Sequence, residues 1–357
     1  MDRPKVSVIL PVYGVERTLA ACLDSVLAQT EQDFEIICVN DASPDACGEI
    51  LLRYAVKDPR IQIIGHETNR GLPATRNSGL ACARGEYLLF ADTDDKIHRQ
   101  TLELTVQTAE RYDADIVAFK AFSVTEADRD AACDPAYDAP EVGYVTDAPF
   151  EALLNKRVNV FVWNKLYRRR VFGNDLRFNE QQRVSQDQGI LPLLMLRAGR
   201  LVQLKNRLYY YFNNPESLSN RVKPWTVTSH ILEGYLFAGY LERYPVRPAC
   251  RRRFRRYTAK SVFQAVDIVF SRVPRGSADE ARLLDLFVEE CRKLLDSRTL
   301  ALRDFSAGRA LVLAVLLRSK DYALARQLWV GLRCAQNPFR RLPNPGREPQ
   351  RLAPRLA

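Results

Sequence analysis

Tyr87-Leu88-Leu89-Phe90-Ala91-Asp92-Thr93-Asp94-Asp95 is an uncharged apolar run that stops in three carboxylates within four residues. Gly85 bounds it on one side and a helical pattern begins near His98 on the other, so the run reads as a buried strand with acids at its end. Carboxylates this close repel one another, and a neutralising partner is the natural reason to gather them. A hard divalent cation bound to a phosphate fits, because it prefers oxygen ligands and keeps sites open for substrate. The plainer alternative is an acidic loop that caps the next helix.

Working outward, Val6-Ser7-Val8-Ile9-Leu10 is a first buried strand stopped by Pro11, followed by a helical period over 16–30. Phe34-Glu35-Ile36-Ile37-Cys38-Val39 is a second strand ending in Asn40-Asp41-Ala42-Ser43-Pro44-Asp45. A helix through Leu51, Leu52 and Tyr54 leads to a third strand at 61–64, and Leu72 to Ala83 reads as a helix with Pro73 in its first turn. Another helix follows the carboxylates, and then a strand over Asp115–Phe119. This β-α alternation predicts an α/β fold with a mostly parallel sheet and helices on both faces. Such sheets bind ligands at the carboxyl ends of their strands. Three polar clusters fall there: Pro11-Val12-Tyr13, Asp41, and the carboxylates. Neither G-x-G-x-x-G nor G-x-x-x-x-G-K-[ST] occurs at a strand end, which disfavours a dinucleotide fold and a P-loop NTPase.

The chain has 357 residues, enough for two domains, and its 46% hydrophobic and 27% charged content is that of a globular protein. No apolar stretch approaches the roughly 20 residues needed to span a bilayer. Met1-Asp2-Arg3-Pro4 leads straight into a strand without the apolar core of a signal peptide, so the expected location is cytoplasmic. Eight cysteines are scattered with no C-x-x-C pair and read as buried free thiols. The +10 net charge is uneven: residues 1–224 hold 28 Lys+Arg against 31 Asp+Glu, and residues 225–357 hold 25 against 12.

Four motifs in order resemble family 2 glycosyltransferases. Val6-Ser7-Val8-Ile9-Leu10-Pro11-Val12-Tyr13 is similar to the family's opening strand. Val39-Asn40-Asp41-Ala42-Ser43-Pro44-Asp45 resembles its DDGSTD segment, Asn69-Arg70-Gly71 to Ala74-Thr75-Arg76-Asn77-Ser78-Gly79 its NxG…ARNxG segment, and Asp92-Thr93-Asp94-Asp95 its DxDD. The likeness is clear over 1–120, weaker to about 220 and absent beyond. It implies a GT-A nucleotide-sugar-binding domain over 1–224, with a basic helical region over 225–336 and a disordered tail over 337–357.

What the resemblance implies residue by residue is a nucleotide-diphospho-sugar donor, of the UDP type. Pro11, Val12 and Tyr13 would line the base pocket, and Asp41 would accept from the uracil. Asn69 and Arg76 would contact the nucleotide, Asp92 the ribose with Thr93 beside it, and Asp94 would hold Mn2+ or Mg2+ on the diphosphate. Asp95 is left as a helix cap or a support for the metal site. The family's Glu-Asp pair corresponds to Gln186-Asp187, with Asp187 as general base and Gln186 in place of the usual Glu. Trp163-Asn164-Lys165-Leu166-Tyr167-Arg168-Arg169 resembles the WNKLYRR segment on the acceptor side, alternatively a core Trp beside a basic turn. Tyr209 to Ser217 resembles a YYYR…S segment, with Phe212 and Asn214 where many relatives carry Arg and His.

The implied reaction is inverting transfer to a hydroxyl of a glycan or lipid-linked acceptor in surface polysaccharide synthesis. The alternatives are a nucleotide-sugar-binding relative with impaired acceptor chemistry, prompted by Gln186, Phe212 and Asn214, and a nucleotide-sugar pyrophosphorylase. The latter would want a Gly-rich basic signature after the first strand, and Pro11-Val12-Tyr13-Gly14 is not one. Six arginines within 247–256 (Arg247, Arg251, Arg252, Arg253, Arg255, Arg256) suit an anionic membrane surface, at about 1 kcal/mol each. They would place the protein peripherally on the cytoplasmic face of the inner membrane. An anionic polysaccharide acceptor suits them too, and no recognised motif points to nucleic acid. His66, His98 and His230 are too dispersed for a metal cluster, and His230 reads as a core or solvated histidine rather than a late metal ligand.

Overall fold

The computed structural model describes residues 3–125, 135–212 and 222–336, with side chains to 333. Two compact units emerge: residues 1–180 with 186–215, and residues 181–185 with 216–357.

In the first unit, β1 (Val6–Val12), β2 (Phe34–Asn40), β3 (Ile61–Gly65) and β4 (Tyr87–Phe90) alternate with α1 (Glu16–Leu27), α2 (Cys47–Lys57) and α3 (Leu72–Cys82). The remaining elements are β5 (Lys96–Ile97), α4 (Thr101–Tyr112), β6 (Ile116–Val124), β7 (Val142–Thr146), α5 (Pro149–Leu154), β8 (Lys165–Arg168), α6 (Gln186–Arg197) and β9 (Leu201–Phe212). The strands form one sheet in the order β3-β2-β1-β4-β8-β6-β9-β5, with β7 also on β9. The first four strands are parallel, in keeping with their mainly apolar sequences, and β6 also runs parallel to β9. The other pairings, β4 and β6 with β8, and β5 and β7 with β9, are antiparallel. The sheet is therefore mixed, and parallel throughout only in its first four strands.

The reason is β8. Its four residues, Lys-Leu-Tyr-Arg, carry no alternation that marks a strand, and the neighbours β4 and β6 impose the conformation. Residues 123–150 include the end of β6, β7 and the start of α5, while 126–134 lie outside the described residues.

Parallel register places the site. Val12 pairs with Asn40 and Ile9 with Phe90, so the chain leaves β1, β2 and β4 at the same edge. The Ala91 and Asp41 amides then donate to the Ile9 and Val12 carbonyls. Helix α3 lies close on this sheet: a Cβ at Gly79 would stand 2.5 Å from Ile9 Cγ2, so only glycine permits the approach.

The second unit contains α7 (Pro224–Arg243), α8 (Pro248–Arg272), α9 (Ala278–Asp296), α10 (Ala307–Arg318) and α11 (Tyr322–Gln336). Their apolar stripes meet around Val262, Phe263, Val266, Leu284, Phe287 and Trp329. Ser277 caps α9, its Oγ accepting from the Glu280 amide. The short piece 181–185 belongs here, so a single boundary at 224 does not describe the division. The Arg183 and Val184 amides donate to Ser229 Oγ, and Gln182 Nε2 donates to Glu233 Oε1. Glu233 also accepts from Ser261. His230 is buried, with Nδ1 3.4 Å from Glu233, and is an interior residue.

No helix among the described residues is long and apolar enough to cross a membrane. The expected tail, 337–357, lies outside the described residues.

Candidate active site

The acids after β4 are divided by their partners. Asp92 Oδ1 accepts from Arg76 Nη2 at 2.9 Å, and the Asp92 amide donates to Tyr209 Oη. Burial raises its pKa, the Arg76 charge opposes that rise, and Asp187 adds to it. Asp95 is buried and its Oδ1 accepts from the Phe212 amide, tying the end of β9 to this turn. Burial first, then Asp94 and Asp92, hold its pKa well above the ordinary carboxylate range. Asp95 thus anchors the end of β9 to the acidic turn. Asp94 is half-buried.

Arg76 is the hub. The side chain is 2% exposed, on α3, with Nη1 donating to Asp187 Oδ1 at 2.7 Å and Nη2 to Asp92, while Phe178 lies under the guanidinium. Burial opposes its charge, but Asp187 and Asp92 outweigh burial and raise its pKa. The resemblance placed Arg76 on the nucleotide; in the structure both its terminal nitrogens are spent on carboxylates. Asp187 is the second residue of α6, after Ser185 at φ +56°, and its Oδ2 accepts from the Val162 amide at 2.9 Å.

Asp41 sits at the far side of the same edge, 2% exposed. Oδ1 accepts from the Arg70 amide and lies 2.6 Å from His66 Nδ1, and Oδ2 accepts from the Gly71 amide. Gly71 has φ +88°, which a glycine adopts without strain. Oδ2 retains a lone pair for a ligand N–H. Tyr13 is 50% exposed and Asn69 is exposed beside it in the motif order.

Three expected pocket residues turn inward instead. Val12 is core, Pro11 is buried and its carbonyl accepts from Thr93 Oγ1, and Thr93 is itself buried. The Thr93–Pro11 hydrogen bond ties β1 to the acidic turn, and the Val12 carbonyl ties it to Asp41.

The acceptor-side motif divides similarly. Asn164 donates to the Phe119 carbonyl, and Lys165 is fully buried, so neither presents a surface. Trp163 stacks on Tyr209 at 4.4 Å, with Phe161 and Tyr211 flanking it. Asn77, not singled out in the sequence, exchanges two hydrogen bonds with the Phe178 backbone, tying α3 to the segment before Asp187. Phe212 is buried beside Asp95, and Asn214 lies outside the described residues.

Among the described residues no group of three or more His, Cys, Asp or Glu could hold a metal ion. Asp94 is a carboxylate at the strand end, an oxygen donor of the type a hard cation on a diphosphate takes.

One arginine joins a strand-end carboxylate cluster to a distant carboxylate, and comparison with known proteins gives the class of protein. The model of glycosyl transferase family 2 matches residues 7–178. Glycosyltransferase EpsJ of Bacillus subtilis is 34% identical over 263 residues, 72% of this chain and 75% of its own length. The poly(ribitol-phosphate) beta-N-acetylglucosaminyltransferase TarS of Staphylococcus aureus is 30% identical over 218 residues, 59% of this chain and 36% of TarS. The crystal structure of TarS 1–349 in complex with UDP-GlcNAc superposes with a TM-score of 0.72 at 20% identity, covering 93% of this chain and 92% of that one. The chain belongs to glycosyl transferase family 2, and its fold is GT-A.

Proposed function

We propose that this glycosyltransferase inverts the anomeric centre of a UDP-sugar, passing the sugar to a hydroxyl of a glycan or lipid-linked acceptor in surface polysaccharide synthesis. The observation that carries the reading is Arg76, whose one guanidinium holds both Asp92 of the donor motif and Asp187. Donor and proton-accepting halves of the reaction therefore share one place. Tyr13, Asn69 and Asp41 receive the nucleotide, and Asp92 the ribose. Asp187 takes the proton of the acceptor hydroxyl as that oxygen attacks the anomeric carbon and the nucleoside diphosphate leaves. Asp94 would hold a Mn2+ or Mg2+ ion, which would supply positive charge for the leaving diphosphate. A single base without a covalent intermediate gives inversion.

Retention of the Val162 N–H on Asp187 orients the carboxylate for that proton transfer. Trp163 is buried and stacks on Tyr209, whose hydroxyl meets the Asp92 amide, so this aromatic cluster supports the donor turn from beneath. Arg251, Arg252, Arg253 and Arg256 are exposed on α8, whereas Arg255 is tied to Asp304. The exposed four suit an anionic membrane surface bearing a lipid-linked acceptor. Liposome co-sedimentation at low and high salt tests this: salt-sensitive binding supports it, and none overturns it.

Release of nucleoside diphosphate from a panel of UDP- and GDP-sugars, with and without Mn2+, tests the central reading. Metal-stimulated release from a UDP-sugar is expected. Donor binding with neither hydrolysis nor transfer across an acceptor panel would favour a binding protein instead.

A further inference from the structure

Lys165 is a fully buried amine that the reaction itself does not use. An ammonium carries three protons, and Lys165 Nζ meets three acceptors: Asn159 Oδ1 at 2.8 Å, the Phe161 carbonyl at 2.5 Å and Asn164 Oδ1 at 2.8 Å. Two of these belong to the loop between α5 and β8. The third belongs to a residue locked to β6, since Asn164 Nδ2 donates to the Phe119 carbonyl. The ammonium thus pins the loop to the sheet.

Apolar packing also holds that loop, with Val158 and Val162 buried and Phe161 stacked on Trp163. From Asn159 to Val162, its hydrogen bonds among the described residues run to side chains. The Phe161 amide donates to Asn159 Oδ1, the Val162 amide to Asp187, and Tyr167 Oη to the Val162 carbonyl. The same peptide that contacts the base is therefore placed by the residue before it, through Lys165.

We propose that Lys165 is a positioning residue for Asp187, its three hydrogen bonds keeping the 159–162 loop in the shape that holds the Val162 N–H on Asp187 Oδ2. The proposal rests on the reading of Asp187 as the base. A neutral amine has two protons and a lone pair, and would turn that lone pair toward one of the three acceptors. Burial pushes the amine down to about 7, with the Asp187 charge opposing the fall. The other charged or titratable groups around this pair are Arg76 on α3, Asp92 after β4 and Tyr167 on β8. The three acceptors favour the ammonium, so the loop is held most firmly on the acid side of this titration.

The test compares wild type with Asn159→Ala and Lys165→Gln in 15N-valine-labelled protein, with Val162 assigned by Val162→Ile. Asn159 is exposed, so its variant keeps the fold if Lys165→Gln does not. In Asn159→Ala the Val162 amide is expected to exchange at least about tenfold faster, while core amides of β1 and α6 are unchanged. With the UDP-sugar selected by the release assay, kcat should fall between about tenfold and a hundredfold. The donor KM should stay within about twofold. Unchanged Val162 protection in Asn159→Ala overturns the proposal, as does lost protection with unchanged kcat. The exchange measurement needs no substrate, so it is separable from the base assignment, which Asp187→Asn tests by itself.

Discussion

Arg76 and Asp187, 111 positions apart in the chain, form a 2.7 Å ion pair, and the same guanidinium reaches Asp92 on its other side. Asp187 is therefore oriented before any acceptor arrives, and the Asp92 carboxylate is fixed by the same group. Removing any one of the three alters the other two.

Asp187→Asn keeps the shape, offers one acceptor oxygen where the carboxylate accepts from both Arg76 and the Val162 amide, and cannot accept the acceptor's proton. Turnover should fall by about 10²- to 10⁴-fold, while donor affinity by calorimetry changes little. Near-normal turnover would remove Asp187 from the mechanism.

Arg76→Met leaves two carboxylates without their cation, one of them in a largely buried setting. Breaking such a pair from one side costs about 3 kcal/mol, readable as a lower urea midpoint. Arg76→Lys should recover only part, because a point charge cannot span both partners as a planar fork does. Full stability in Arg76→Met would mean that the ion pairs are weak.

Lys165 gives the fold a pH dependence of a definite sign. The amine titrates near 10.5 when free and near 7 when folded, so between those values the unfolded chain holds a proton that the native state has lost. Stability should then rise with pH across that window by about 1.4 kcal/mol per unit, level off above it, and be lowest below pH 7. Comparing urea midpoints of wild type and Lys165→Met from pH 6.5 to 10 isolates this contribution. A constant difference between the two across the window would contradict it.

Asp94→Asn should remove the metal's effect on the donor. In wild type, Mn2+ is expected to enlarge the rise in Tm produced by a UDP-sugar, and a chelator to abolish the enlargement. In Asp94→Asn the UDP-sugar should give the same Tm with and without the metal. A retained Mn2+ effect would move the metal to other ligands.

The parallel strands β1 to β4 were legible because apolar runs between amphipathic helices have one economical arrangement, and the helices of 224–336 because each carries a continuous stripe. The carboxylates were legible as a site because three polar clusters fell at strand ends. What stayed hidden depends on contacts between distant segments. Nothing near Arg76 announces Asp187, and the Val162 amide is a backbone group with no sequence signature. Lys165 reads as a surface charge until β8 is seen between two other strands. Motif position marks Pro11, Val12 and Thr93 but does not show that all three are buried.

The second unit is made from two separate stretches of chain, and this limits how the protein can be shortened. A version ending at residue 224 would keep 181–185 but lose Ser229 and Glu233, its hydrogen-bonding partners. The segment stripped of support ends two residues before Asp187. Such a shortened protein could retain the whole donor pocket and still lose its base, so a trimmed enzyme that binds nucleotide but transfers nothing would be reporting on its C-terminal cut rather than on its chemistry.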